Sequence, residues 1–313
     1  MAASGLRITP PADYVFRRDA CSYGYFLLAP NVWDPGSATL SRPFLLPGGR
    51  ADVILAQPGD RAGAALTVRV SRSLDAADRT DLRRQVRRML NLDDTGPAEF
   101  HRVDRRWKKN GRGRLFRSPT FFEDLIKTVT SCNVAWPSTI SMNRRLCDVF
   151  EPAFPAPAQL ARRRPQTLRS RCGVGYRDRR IIDLARLIVS GRLDPGRLED
   201  PATPDEEAYQ TLLDLPGIGP YAAGNMMQLL GRYGFLAIDT ESIRHGRSVL
   251  GFDGADGAVV KKLRAHYERF GAHRFRSYWF ELWAHYEGVH GPAWTWEPRQ
   301  TGAQFTAAKL NAG

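Results

Sequence analysis

The chain has 313 residues and a formal net charge of +13. That length is enough for two domains with their own cores, and that charge is typical of a protein that meets a polyanion. No stretch of about 18 consecutive apolar residues is present, so no membrane span is expected, and the first residues lack the basic-then-apolar pattern of a secretory leader.

Residues 15–70 hold short apolar runs, Tyr23–Leu28, Phe44–Leu46, Asp52–Ala56 and Ala64–Val70. They are punctuated by Pro30, Pro35, Pro43, Pro47-Gly48-Gly49 and Pro58-Gly59, which predicts strands and turns. From Ser73 to Leu90 the pattern changes. Leu82, Val86 and Leu90 recur at helical spacing behind Ser73 or Asp75 as caps. The basic stretch 102–117 reads as a loop or domain link, and from Ser118 onward helices dominate. Phe122, Leu125, Ile126 and Val129 define one helical face, and further helices are expected over 137–149, 157–163, 178–190, 205–213, 221–230, 240–250, 259–270 and 275–289. The expected architecture is α+β: an N-terminal antiparallel β domain with one helix over 1–117, a helical body over 118–296 and a frayed tail from 297. Cys21, Cys132, Cys147 and Cys172 are scattered without Cys-x-x-Cys spacing, which suggests neither a zinc site nor an iron–sulfur cluster. They are expected to be reduced thiols of an intracellular protein.

The most informative segment is Leu212-Leu213-Asp214-Leu215-Pro216-Gly217-Ile218-Gly219-Pro220-Tyr221. It reads as a helix end, a tight glycine turn and a new helix start. Glycines there admit unusual backbone angles and close approach of another chain. The unpaired N–H groups that open the next helix suit an anion such as a phosphodiester. Downstream, Ile238-Asp239-Thr240-Glu241-Ser242-Ile243-Arg244 looks like the capped start of another helix, with Asp239 as a lone acid.

The hairpin and the acid together resemble the helix-hairpin-helix, Gly-Pro-Asp superfamily of DNA glycosylases, nearest to its 8-oxoguanine and alkyladenine branches. The resemblance implies that Pro216, Gly217, Ile218, Gly219 and Tyr221 grip the DNA backbone and that Asp239 serves base excision. A helix N-terminus would help keep Asp239 ionised. Lyase branches carry a lysine two residues after the second glycine. Here that position is Tyr221, so a monofunctional enzyme is expected; a bifunctional glycosylase and lyase, or a non-catalytic binder of damaged DNA, are the alternatives. Lys127, Lys261 and Lys262 read as solvated charges. Asn133 matches the family's gap-filling asparagine, and Tyr176 and Arg177 match its wedge and its contact to the orphaned base. Trp136, Asn225 and Glu281 are candidate base-pocket residues. The stripe Trp279, Trp283 and Tyr286 reads as core rather than as a stacking site. Glu241 stands where relatives often have a histidine and is expected to turn aside toward Arg244 or His245. Backbone contacts are expected from Arg105, Arg106, Lys108, Lys109, Arg112, Arg114, Arg179 and Arg180. The carbonyls of Leu213, Leu215 and Ile218 would hold a monovalent cation, with no other cofactor. The implied partner is double-stranded DNA bearing a damaged base, bound by a monomer in the bacterial cytoplasm or the nucleus.

Overall fold

The computed structural model describes residues 4–150 and 153–297, and the expected tail from 298 lies outside them. The chain divides into two compact units. One gathers residues up to 93, residues 114–193 and residues from 291; the other gathers residues 94–113 and 194–290. In place of a single break at 117, the chain crosses between the units four times, after residues 93, 113, 193 and 290.

The first unit contains a five-stranded antiparallel sheet with strand order β1-β5-β4-β3-β2. Its strands are β1 (Ser4–Ile8), β2 (Val32–Asp34), β3 (Thr39–Leu46), β4 (Gly49–Ala56) and β5 (Leu66–Val70). Leu40, Arg42, Phe44 and Leu46 of β3 are buried while their neighbours are not, the period of two that a sheet with one covered face requires. Val53 and Leu55 of β4 and Leu66, Val68 and Val70 of β5 continue that face. The helix Ala76–Met89 starts at Asp75, whose carboxylate accepts the Asp78 amide at 2.8 Å, and buries Leu82, Val86 and Met89.

The helix Phe121–Ser131 explains why this part of the chain stays with the sheet. It is buried from Phe121 to Thr130. Glu123 accepts two hydrogen bonds from Arg42 of β3, at 3.0 and 2.8 Å, and one from Lys127 at 2.7 Å. Lys127 is fully buried rather than solvated, and burial drives its pKa down despite the Glu123 charge. The run Tyr23–Leu28, expected as a strand, instead forms a tight helical turn over Gly24–Leu27. A short apolar run cannot announce its own geometry. The Trp136 ring packs where a side chain on Gly24 would stand. Two short strands, β1 and β2, lie outside the runs read from sequence.

The second unit is helical: Asp205–Leu213, Pro220–Leu229, Thr240–Ser248, Asp256–Glu268 and Arg274–His290. The stretch expected as a basic link partly belongs here, because it carries its own anchors. Asp104 accepts hydrogen bonds from Ser277 and Trp107, each at 2.9 Å, and Asp94 pairs with the buried Arg276.

Candidate functional site

The glycine turn of the second unit sits between the helices Asp205–Leu213 and Pro220–Leu229. Leu215 and Ile218 are buried and pin the turn, with the Ile218 amide donating to the Leu215 carbonyl at 3.1 Å. Gly217, Gly219 and Pro220 are exposed. Gly217 holds φ 77°, a region that favours glycine. Gly219 is the N-cap, Pro220 occupies the first turn, and a side chain on Gly219 would meet only open space. The turn thus offers bare backbone and a helix N-terminus to whatever approaches.

Asp239 caps the helix Thr240–Ser248. Its Oδ1 accepts the Ser242 amide at 2.9 Å and the Ser242 hydroxyl at 3.0 Å, while the Asp239 amide donates back to Ser242 Oγ at 3.1 Å. Ser242 in turn shares a 2.7 Å hydrogen bond with the Tyr278 hydroxyl. With the serine proton on Asp239, Tyr278 donates. Both Ser242 and Tyr278 are buried, so the Tyr278–Ser242 part of the chain is shielded from water while Asp239 stays half-buried. Tyr221, from the first turn of the hairpin's second helix, also hydrogen-bonds the Asp239 carboxylate. The acid and the hairpin expected to act together are thereby joined.

Gly224 makes this meeting geometrically feasible, and sequence reading missed it. A Cβ there would lie 3.3 Å from both the Cα and the amide nitrogen of Ala237. The helix Pro220–Leu229 and the segment leading to Asp239 approach so closely that only a missing side chain avoids crowding.

The electrostatics of Asp239 depart from expectation. Burial pushes its carboxyl above the ordinary carboxylate range. The Ser242 amide and hydroxyl and the Tyr221 hydroxyl pull it back, and the neighbouring Glu241 charge adds to the rise. The helix N-terminus helps ionisation but does not outweigh desolvation. Glu241 turns aside, as expected: its Oε2 accepts Arg244 at 2.9 Å and the Tyr286 hydroxyl at 2.8 Å.

Glu281 is held by three partners of its own unit. It accepts Tyr267 at 2.6 Å and His245 at 3.0 Å and pairs with Arg106. Burial alone would raise its pKa, but those donors hold it at about 2. Asn225 is buried within its helix and accepts from Gln228 at 3.3 Å. Trp283 and Tyr286 are core, as expected; Trp279 is half-buried and stacks on Phe275 at 6.0 Å and on Trp283 at 5.3 Å. Several arginines expected at phosphates are committed elsewhere. Arg106 pairs with Asp104 and Glu281, Arg112 with Glu287, and the buried Arg114 with Asp13. A sequence gives charges but not their partners. Arg105, Lys108, Lys109, Arg179 and Arg180 are exposed.

The first unit carries the remaining candidates. Asn133 is exposed, with φ 54°, just beyond the helix Phe121–Ser131. Tyr176 is 52% exposed, on a turn bent by Gly173 at φ 69° and Gly175 at φ 59°. Arg177 does not share that exposure. It is 4% exposed, and its donors run to the carbonyls of Val129, Val174 and Cys132. Trp136 is half-buried against Gly24.

Among solved structures the chain is similar to a 3-methyladenine DNA glycosylase from Archaeoglobus fulgidus, with TM-score 0.67, 20% identity and coverage of 89% of this chain and 98% of that one. It is also similar to the apo 8-oxoguanine glycosylase/lyase of Clostridium acetobutylicum, with TM-score 0.64, 16% identity and coverage of 89% and 97%. The same enzyme bound to duplex DNA with cytosine opposite 8-oxoguanine matches with TM-score 0.60, 14% identity and coverage of 85% and 93%. No protein-family model matches the chain, and no curated protein does. The chain therefore has the α+β fold of these glycosylases, and the resemblance read from its hairpin and aspartate holds at the level of fold.

Proposed function

We propose that the chain is a monofunctional DNA N-glycosylase that everts a damaged base from duplex DNA and hydrolyses its bond to deoxyribose. The observation that carries this reading is the Asp239 carboxylate, half-buried, hydrogen-bonded to Tyr221 of the glycine hairpin and braced by Ser242. Breaking the bond between C1′ and the base nitrogen leaves positive charge on the sugar. A carboxylate held short of water gains most when that charge appears beside it, so its stabilisation is specific to the transition state. Asp239 also accepts a proton from the attacking water, whose oxygen bonds to C1′ as the base departs with the bonding electrons; the base takes up a proton from solvent and Asp239 returns its own to solvent, so that one water is consumed.

The exposed hairpin backbone is the anchor for a phosphate. A monovalent cation would be held by the carbonyls of Leu213, Leu215 and Ile218; the Leu215 oxygen already accepts the Ile218 amide and keeps one lone pair. Asn133 and Tyr176 enter the duplex to fill the vacated stack, as base-extruding enzymes require. The half-buried Trp136 is the aromatic surface offered to an everted base. Tyr221 cannot form an imine with the opened sugar. Lys127 is buried against Glu123, which supports hydrolysis without strand cleavage. The partner is damaged duplex DNA, engaged by a monomer in the compartment that holds the genome.

Incubation with duplex oligonucleotides bearing alkylated, oxidised, deaminated and mismatched bases tests the reading. Free base should appear from at least one of them, the strand should stay intact until hot alkali, and borohydride should trap no adduct. No base from any duplex refutes the enzyme, and a trapped adduct refutes the monofunctional assignment.

A further inference from the structure

The geometry points to Arg177 as a positioning residue that couples the Asn133 loop to the Tyr176 turn, so that the two inserting side chains act as one wedge. This rests on the base-everting reading above and adds to it a role that exposed insertion residues alone do not explain. The guanidinium is planar, and its two aspects serve different segments. Its edge faces the end of the helix Phe121–Ser131: Nε donates to the Val129 carbonyl at 3.1 Å and a terminal nitrogen donates to the Cys132 carbonyl, next to Asn133. Those are the last carbonyls of that helix, which lack intrahelical partners and carry partial negative charge. Its face lies under the Tyr176 ring, with Cζ 4.4 Å from the ring centroid. The other terminal nitrogen reaches the Val174 carbonyl of the same turn at 3.4 Å. One buried group therefore ties an exposed left-handed asparagine to an exposed aromatic ring.

Two consequences follow. Movement of either loop requires breaking bonds that also hold the other, so insertion of Asn133 and insertion of Tyr176 are cooperative. And since the donors of Arg177 are directed at backbone carbonyls, it does not read the base opposite the lesion.

Lysine keeps the charge but not the fork, so Arg177→Lys is the informative variant; Arg177→Ala also removes packing and risks the fold. The first measurement is amide hydrogen exchange of the free protein, which needs no DNA and no activity. Arg177→Lys should accelerate exchange in both 130–135 and 174–177, with the sheet amides unchanged. Unaltered exchange in 130–135 overturns the coupling even if the chain proves to be a glycosylase. The second uses a duplex with 2-aminopurine beside a stable abasic analogue, where the proposed chemistry is irrelevant. Asn133→Ala and Tyr176→Ala should each reduce the insertion-dependent brightening, non-additively in the parent and additively in Arg177→Lys. Additivity in the parent overturns the single-wedge proposal. With intact coupling by exchange, a duplex that never brightens points instead to failure of the base-everting reading.

Discussion

At the scale of single residues, the chemistry concentrates on Asp239, and its burial makes two effects separable. Asp239→Asn keeps a side chain able to cap the helix but removes the charge. Excision should fall by about a hundredfold or more, with binding to abasic duplex retained. Stability should move the other way. Burial raises the folded-state pKa of Asp239 above its ordinary 3.8. The unfolded chain therefore gives up this proton at lower pH, and native stability is lost as pH rises from about that value through the raised one. Urea unfolding should show Asp239→Asn gaining on the parent as pH rises above about 3.8; a gap independent of pH would contradict the burial argument. Glu123 behaves oppositely. Burial would raise its pKa, but Arg42 and Lys127 hold it at about 2, so its stabilisation is present at neutral pH and lost as pH falls from 4.5 through about 2. Glu123→Gln leaves two buried cations with no acid between them and should cost about 3–5 kcal/mol by denaturant melts at neutral pH.

At the scale of elements, the site depends on how the start of one helix is held against the side of another. Ser242 links the cap of Thr240–Ser248 to Tyr278 of Arg274–His290. Ser242→Ala keeps the amide bond to the Asp239 cap but removes the hydroxyl that Asp239 and Tyr278 share, and the stranded tyrosine hydroxyl should cost about 1–3 kcal/mol. Adding Tyr278→Phe should recover part of that loss in thermal melts. Gly224→Ala crowds the approach to Ala237, for an expected cost of about 1–3 kcal/mol. The displaced Asp239 should lower kcat more than it changes KM for DNA, and parental kcat would contradict the role given to that crossing. The helices here were legible because their caps and apolar periodicity agree: Asp75, Asp239 and the Leu215–Pro220 turn stand where the sequence puts them. The run Tyr23–Leu28 was not legible, since a short apolar run does not announce its geometry and its packing partner Trp136 is distant in sequence. The partners of Glu281 and Arg177, Tyr267 and His245 for one and Val129 and Cys132 for the other, likewise come from distant segments and were not legible.

For the molecule as a whole, internal pairing leaves the net charge of +13 unchanged but decides which cations face outward, which local sequence cannot reveal. DNA affinity should fall steeply with salt. Replacing the exposed Arg179 and Arg180 should lower the slope of log affinity against log salt by about one for each phosphate that is no longer neutralised. Arg106→Ala should leave that slope unchanged and lower stability instead, because its partners are Asp104 and Glu281. The division into units also escaped a linear reading, because it depends on which anchors residues 94–113 find. The most direct measurement is single-turnover release of free base from a duplex bearing an excisable lesion, with parent and Asp239→Asn each saturating the DNA. The account predicts rapid release by the parent and release about a hundredfold slower or worse by the variant, at comparable binding. Equal release by the two proteins would contradict it.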